Sequence, residues 1–238
     1  VPIKSVEQQA VLSLHRVRQG FVRARTAQGN QIRGLLGELG LIIPKGIVNV
    51  AKRVHTVLEA AGEELPASFR QLIERLTKHL KELDRQVDEL EAQIKAWHRS
   101  SELSCKLEKI PGLGPLGASA LVASIADANS FDNGRQLSAW LGLVPRQDSS
   151  GGKPKLLGIS KRGDVYLRTL LIHGARSAIL AAQRKSVNTN VWLAKLLDRR
   201  HPNIAAVALA NKNARTVWAL LAHGREFRLD YAPEVSAA

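Results

Sequence analysis

The sequence predicts an all-α protein in which a long basic helix and a coiled-coil arm precede a compact helical domain. Three observations point there. Apolar residues recur at helical spacing along most of the 238 residues, and Gly, Pro and capping residues punctuate those patterns. Aromatic residues make up only 4% of the chain, and runs that would mark strands are hard to find. The 45% of hydrophobic residues are ample for a buried core.

Ser5-Val6-Glu7-Gln8 has the form of a capping box and opens a helix whose face carries Val6, Ala10, Leu14, Val17, Phe21, Ala24, Ile32, Leu35 and Leu39,. Arg16, Arg18, Arg23, Arg25 and Arg33 decorate the remainder. Gly20, Gly29, Gly34 and Gly37 each cost such a helix about 1 kcal/mol relative to alanine, so it leans on a partner. Gly40 and Pro44 end it, and a shorter helix is predicted over 47–61, followed by a linker at 62–66. Ser68-Phe69-Arg70-Gln71 repeats the capping-box form. Behind it Phe69, Ile73, Leu76, Leu80, Leu83, Val87, Leu90, Ile94 and Trp97 recur in steps of four and three, the period of a coiled coil.

Between Leu103 and Ile125, Ile110-Pro111-Gly112-Leu113-Gly114 joins two short helical patterns and matches a helix-hairpin-helix motif. Glycines there allow a tight turn, and the next helix offers unpaired N–H groups and a positive dipole end to a backbone phosphate. Such a hairpin holds DNA without reading sequence; a Pro-Gly turn of no function is the alternative. Asp132 is the expected cap of a short helix through Trp140 that Gly142 ends. Further helices are predicted over 165–182, 191–200 and from Pro202 to Ala222, the last closed by Gly224. Arg168, His173 and Arg176 interrupt the apolar 165–182 segment. The tail from Asp230 to Ala238 is expected to be disordered. The domain division is thus 1–66, 67–100, 101–228 and the tail 229–238.

The net charge is +14, with a pI near 10.4, which favours a polyanionic partner. Its distribution is uneven: residues 61–145 carry a net −2, whereas residues 146–228 carry 16 Lys and Arg against 4 Asp and Glu. That basic part holds the stretch Leu141 to Gly163, L-G-L-V-P-R-Q-D-S-S-G-G-K-P-K-L-L-G-I-S-K-R-G. Two serines, Ser149 and Ser150, precede Gly151 and Gly152, with Arg146, Lys153, Lys155, Lys161 and Arg162 close by. Bare glycine backbone lets a large polyanion approach the hydroxyls and amides, the outline of a phosphate-handling loop. The plain alternative is a Gly/Ser/Lys surface loop.

One cysteine, Cys105, excludes an internal disulfide and suits a reducing compartment. The seven histidines lack metal-ligand spacing. No apolar run approaches about 18 residues, so no membrane span is expected. The chain has no methionine, even at position 1, and we expect an N-terminal part to precede it.

These motifs carry a resemblance. The order I-P-G-L-G-x-x-x-A, F-x-x-x-R-Q-L-x-A-W-L-G-L-V-P, S-S-G-G-K and S-K-R-G-x-x-x-L-R resembles the C-terminal domain of insertion sequence 110 family transposases, most closely the insertion sequence 1111 branch. The opening V-P-I-K-S-x-E-Q-Q-A-x-L-x-L-H-R is similar to the segment that follows that family's catalytic N-terminal domain, so the likeness covers essentially the whole chain. It implies a DNA recombinase that cleaves and rejoins strands through a serine-phosphate link, guided by a structured "bridge" RNA, acting as a dimer or tetramer in the bacterial cytoplasm. Family members combine a RuvC-like domain, whose Asp-Glu-Asp-Asp set binds a divalent metal such as Mg, with a coiled-coil arm and a C-terminal domain bearing an essential serine.

By that alignment the serine falls on Ser150, with Ser149 as the fallback. Pro111, Gly112, Leu113, Gly114, Arg146, Lys153, Lys155, Lys161, Arg162 and Arg168 are the expected DNA contacts. None of the RuvC-like acids carries over to this chain; Asp127, Asp132, Asp148 and Asp164 read as loop or cap acids, so no metal is expected here and cleavage needs the full-length context. A serine hydroxyl needs a base or a metal to react. Asp148 and His173 are weak candidates beside the metal of the other domain. The alternative function is a non-enzymatic helix-hairpin-helix module that binds DNA or RNA.

Overall fold

A computed structural model of the chain describes residues 2–62, 65–148, 153, 155–185 and 191–228. Among these residues are nine α-helices, one 3₁₀ turn and one two-stranded sheet. The mostly helical class holds, and the small sheet is the departure. None of the described helices is long and apolar enough to cross a membrane. Two compact units are present, residues 13–94 and residues 1–12 with 95–238. The division between them falls inside the two longest helices.

Helix α1 (Val6–Glu38) begins where its capping box places it. Ser5 Oγ accepts the Gln8 N–H at 3.1 Å, and Gln8 Oε1 accepts the Ser5 N–H at 3.0 Å, satisfying two donors that the first turn leaves open. Helix α2 spans Ile47–Ala60. Helix α3 (Ala67–Ser100) starts before Ser68, which therefore lies in the first turn and is no cap. There the Arg70 N–H bonds to the Pro66 carbonyl at 3.1 Å.

Within the 13–94 unit, α1 and α3 run antiparallel. Arg18 Nε donates to Glu91 at 3.0 Å and Arg25 Nη1 to Asp84 at 3.0 Å, so seven residues forward on α1 match seven back on α3. Ile73, Leu80, Leu83, Val87 and Ile94 are buried along the α3 seam. Ile73 and Leu80 join Ile32 and Leu36 of α1 and Val50, Val54 and Leu58 of α2 in one core. Each such side chain is worth about 1.5–3 kcal/mol when buried, against about 0.2–1 kcal/mol for a partly exposed ion pair. The apolar seam therefore supplies the stability, and the charge pairs select the register.

The other unit contains α4 (Glu102–Glu108), α5 (Pro115–Ser124), a 3₁₀ turn (Ala128–Ser130), α6 (Gly134–Trp140), β1 (Pro145–Gln147), β2 (Leu156–Ile159), α7 (Val165–Lys185), α8 (Val191–Leu197) and α9 (Pro202–His223). Its core gathers Leu107, Ile110, Leu121, Leu137, Leu141, Leu143, Leu167, Leu171 and Val217. Asn133, not Asp132, caps α6: its Oδ1 accepts the Arg135 and Gln136 N–H groups at 3.0 and 3.1 Å. Asp132 is engaged by the Gln136 side chain. Trp218 of α9 donates its indole N–H to the carbonyls of Ala128 and Phe131. At the corner between α3 and α4, His98 is hydrogen-bonded to Ser104 Oγ at 2.7 Å and to Glu108 Oε2 at 2.9 Å. A Ser–His–carboxylate order suggests a nucleophile, but Ser104 is 0% exposed and His98 3%, so no substrate reaches the hydroxyl and the trio holds the corner.

His15 of α1 is only 1% exposed. Burial, followed by the nearby Arg18 charge, lowers its pKa from 6.5 to about 4,. A lowered imidazole pKa means that the unfolded chain binds the proton more tightly, so stability is complete above about pH 6.5 and declines as the pH falls toward 4. That shift corresponds to about 3 kcal/mol. Thermal unfolding from pH 7 to 4 should therefore lose less stability in His15→Asn than in the parent chain, by an amount of that order. Parallel curves for the two proteins would contradict the assignment.

Candidate nucleic-acid interface

The serine stretch is carried by a β-hairpin. β1 and β2 pair antiparallel with Pro145 opposite Ile159 and Gln147 opposite Leu156, and the register is irregular between the two pairs. The Asp148 N–H continues the ladder to the Lys155 carbonyl at 2.9 Å. Strands of three and four residues are too short to announce themselves by alternation, so the sequence reads as a loop. Ser149, Ser150, Gly151, Gly152 and Pro154, which complete the stretch, lie outside the described residues.

What positions the hairpin is its neck. Ser160 N–H donates to the Val144 carbonyl at 2.8 Å and Lys161 N–H to the Gly142 carbonyl at 3.2 Å. Two glycines let the backbones touch: a Cβ on Gly142 would stand 1.9 Å from the Arg162 carbonyl oxygen, and one on Gly163 would stand 1.8 Å from that of Trp140. Both glycines have positive φ, 71° and 87°, and Lys161, immediately before the Arg162 contact, takes φ 57°, a region sparsely used by residues with a side chain. Asp164 Oδ1 then accepts the Leu167 N–H at 2.9 Å and starts α7, turning the chain away from the neck.

Arg168 is where the structure corrects the expected interface. Its side chain was expected to meet DNA, yet the residue is 7% exposed, with Nη1 donating to the carbonyls of Leu141 at 3.0 Å and Arg162 at 3.1 Å. These belong to the two opposing stalks of the neck, so Arg168 is a positioning residue that pins one to the other. By contrast Arg146, Lys153, Lys155, Lys161 and Arg162 are all exposed. Among the described residues no carboxylate pairs with Arg146, Lys161 or Arg162, which leaves these cations available to an anion.

The turn at 110–114 also departs from expectation. Leu113 is 4% exposed and sits in the core, so it touches no ligand. Gly112 serves packing: its Cβ would fall 2.5 Å from the Gly174 carbonyl oxygen, and a Cβ on Gly174 would fall 1.8 Å from that of Gly112. The turn thus rests backbone to backbone on α7, and Asn213 of α9 donates to the Pro111 carbonyl at 2.9 Å. Pro111 and Gly114 remain exposed. Gly114 precedes α5 with no side chain capping that helix. Gly174, a lone glycine amid apolar helical residues, was the signal for this contact.

No group of three His, Cys, Asp or Glu able to hold a metal occurs among the described residues. Asp127 caps the 3₁₀ turn through Asn129, and Asp132 and Asp164 are engaged as described above.

Residues 105–189, covering the turn, the hairpin and all of α7, match the family described as "Transposase IS116/IS110/IS902 family". The chain is 50% identical over 229 residues to a "Probable family 20 transposase" of Pseudomonas aeruginosa, covering 96% of this chain and 68% of that protein. It is 43% identical to the "Transposase for insertion sequence element IS1111A" of Coxiella burnetii, over 94% of this chain and 62% of that protein. It is 40% identical to the "Transposase for insertion sequence element IS1328" of Yersinia enterocolitica, with 94% and 66% covered. The chain therefore spans about two thirds of the length of these relatives, and it belongs to the IS116/IS110/IS902 family of insertion-sequence transposases.

Proposed function

We propose that the chain is the nucleophile-bearing part of a DNA transposase, in which Ser150 attacks a scissile phosphodiester. The observation that carries this reading is the clamped hairpin: Gly142, Gly163 and Arg168 fix its neck, five exposed cations flank it, and the serine pair follows directly on its last described ladder bond. In the step itself, an Oγ–P bond forms as one bridging P–O bond breaks. The serine proton passes to a base, and the departing strand oxygen takes up a proton to become a free hydroxyl end. The reverse attack by a strand end on a new partner restores the phosphodiester, so no bond energy is lost. Arg146, Lys155, Lys161 and Arg162 would offset the charge that develops on phosphorus oxygens. Asp148 is the described acid nearest in sequence to the serines, whereas His173 is exposed on α7.

Guide-RNA binding, a metal held by a RuvC-like domain and a dimeric or tetrameric assembly belong to the same proposal, and rest on the family resemblance. The turn at 110–114 would hold a DNA backbone through its exposed Gly114 end. The alternative, a non-enzymatic DNA- or RNA-binding module, predicts that the serine is dispensable.

In the full-length protein, Ser150→Ala should lower recombination by at least about 10³-fold with DNA affinity retained; unchanged recombination would leave the binding-module reading standing. Ser104→Ala should do the reverse, costing about 1–2 kcal/mol of stability in thermal unfolding while recombination persists. Gly163→Ala must push apart the neck and strain a positive φ, so it should cost at least about 2 kcal/mol and reduce recombination together with the melting temperature.

A further inference from the structure

Beside the serine hairpin lies an open cavity of about 1330 Å³, larger than the roughly 300–1,000 Å³ usual for a small-molecule pocket. Pro145, Leu157 and Ile159 of the hairpin form one wall, and Trp192 of α8 with Ile204 and Lys212 of α9 form another. Trp192 is 38% exposed and Ile204 53%. The Lys212 ammonium stands 4.6 Å from the centre of the Trp192 ring. Arg215, Arg225 and Arg228 also line the cavity, against a single acid, Glu226. Its lining is mostly apolar, and three of its polar side chains donate to backbone carbonyls. Asn211 donates to the Leu143 carbonyl at 3.1 Å, Asn213 to that of Pro111 at 2.9 Å, and Thr216 to that of Lys212 at 3.1 Å.

We propose that this groove binds single-stranded DNA, with an unpaired base stacked on Trp192 and its phosphates met by Lys212 and the arginines of the rim. Apolar platforms interleaved with cations are what a sequence-tolerant single-strand site needs. Stacking a base on an indole outweighs an exposed cation–π contact, so the base takes the ring and Lys212 turns to the phosphate. DNA is chosen as the occupant because the groove shares the hairpin that carries the serines proposed to act on a DNA strand. The inference rests on the transposase reading for its physiological strand, since the groove shares the hairpin that bears the serines, but it requires no chemistry at the serine.

The test is equilibrium binding by the full-length protein in a Ser150→Ala background, so that failure of the serine chemistry cannot be mistaken for failure of the groove. The probe is an oligodeoxythymidylate of about 12 nucleotides, within the usual span of single-strand sites, compared with a duplex and with an oligouridylate of equal length. Trp192→Ala should weaken oligodeoxythymidylate binding about tenfold and leave duplex binding within about twofold, while Trp192→Phe restores most of the loss. Lys212→Glu carries the test independently of any effect of Trp192 on folding, and should weaken the same probe and flatten its salt dependence. Unchanged single-strand affinity in both variants, or an equal fall for single strand and duplex, would overturn the proposal. An oligouridylate that binds more tightly and loses more in the variants would overturn the choice of DNA.

Discussion

Arg168 holds a full positive charge in the interior, near the start of α7, where the helix dipole opposes a cation. Such a charge needs hydrogen-bond partners, and here its Nη1 donates to the carbonyls of Leu141 and Arg162. Leu141 caps α6, so its carbonyl is one that a helix end leaves without an intrahelical partner and carries the negative end of the dipole. One guanidinium therefore ties the end of α6 to the return of the chain after β2. The glycine contacts at 142 and 163 are what bring the two carbonyls within its reach. The proposal for the serines depends on this junction because it fixes the strands on either side of them in sequence.

Around that junction the cations divide by burial into two tasks. Arg168 is consumed inside, while Arg146, Lys161 and Arg162 stand outside it. Arg162 joins the two layers: its backbone carbonyl receives Arg168 and its side chain faces solvent. A net charge summed over residues 146–228 does not distinguish these tasks, although it correctly locates the basic part of the chain. The 13–94 unit is built on a different logic, in which apolar seams supply the energy and Arg18–Glu91 and Arg25–Asp84 choose the register.

Much of the fold was legible because it is written in local signals. The Ser5–Gln8 box, the seam of α3, Pro202 at the first turn of α9 and Gly224 after its end each act within one or two turns of chain. What escaped depends on contacts distant in sequence. Gly112 looked like a phosphate-binding glycine because its partner Gly174 is 62 residues away, and Arg168 looked like a surface cation because the carbonyls that satisfy it lie on other elements. The hairpin strands were too short to show alternation, and Asn133 won the α6 cap from Asp132 by a single position. Of the candidate site, the flanking cations were readable from composition, whereas the clamp that positions them was not.

The central proposal is that a serine in the segment joining β1 to β2 becomes bonded to a DNA strand. The most direct measurement is to trap the full-length protein on labelled DNA, digest both, and locate the nucleotide remnant by mass spectrometry of the peptides. The account predicts a nucleotide on Ser150. A remnant on any residue outside the Ser149–Ser150 pair would contradict it.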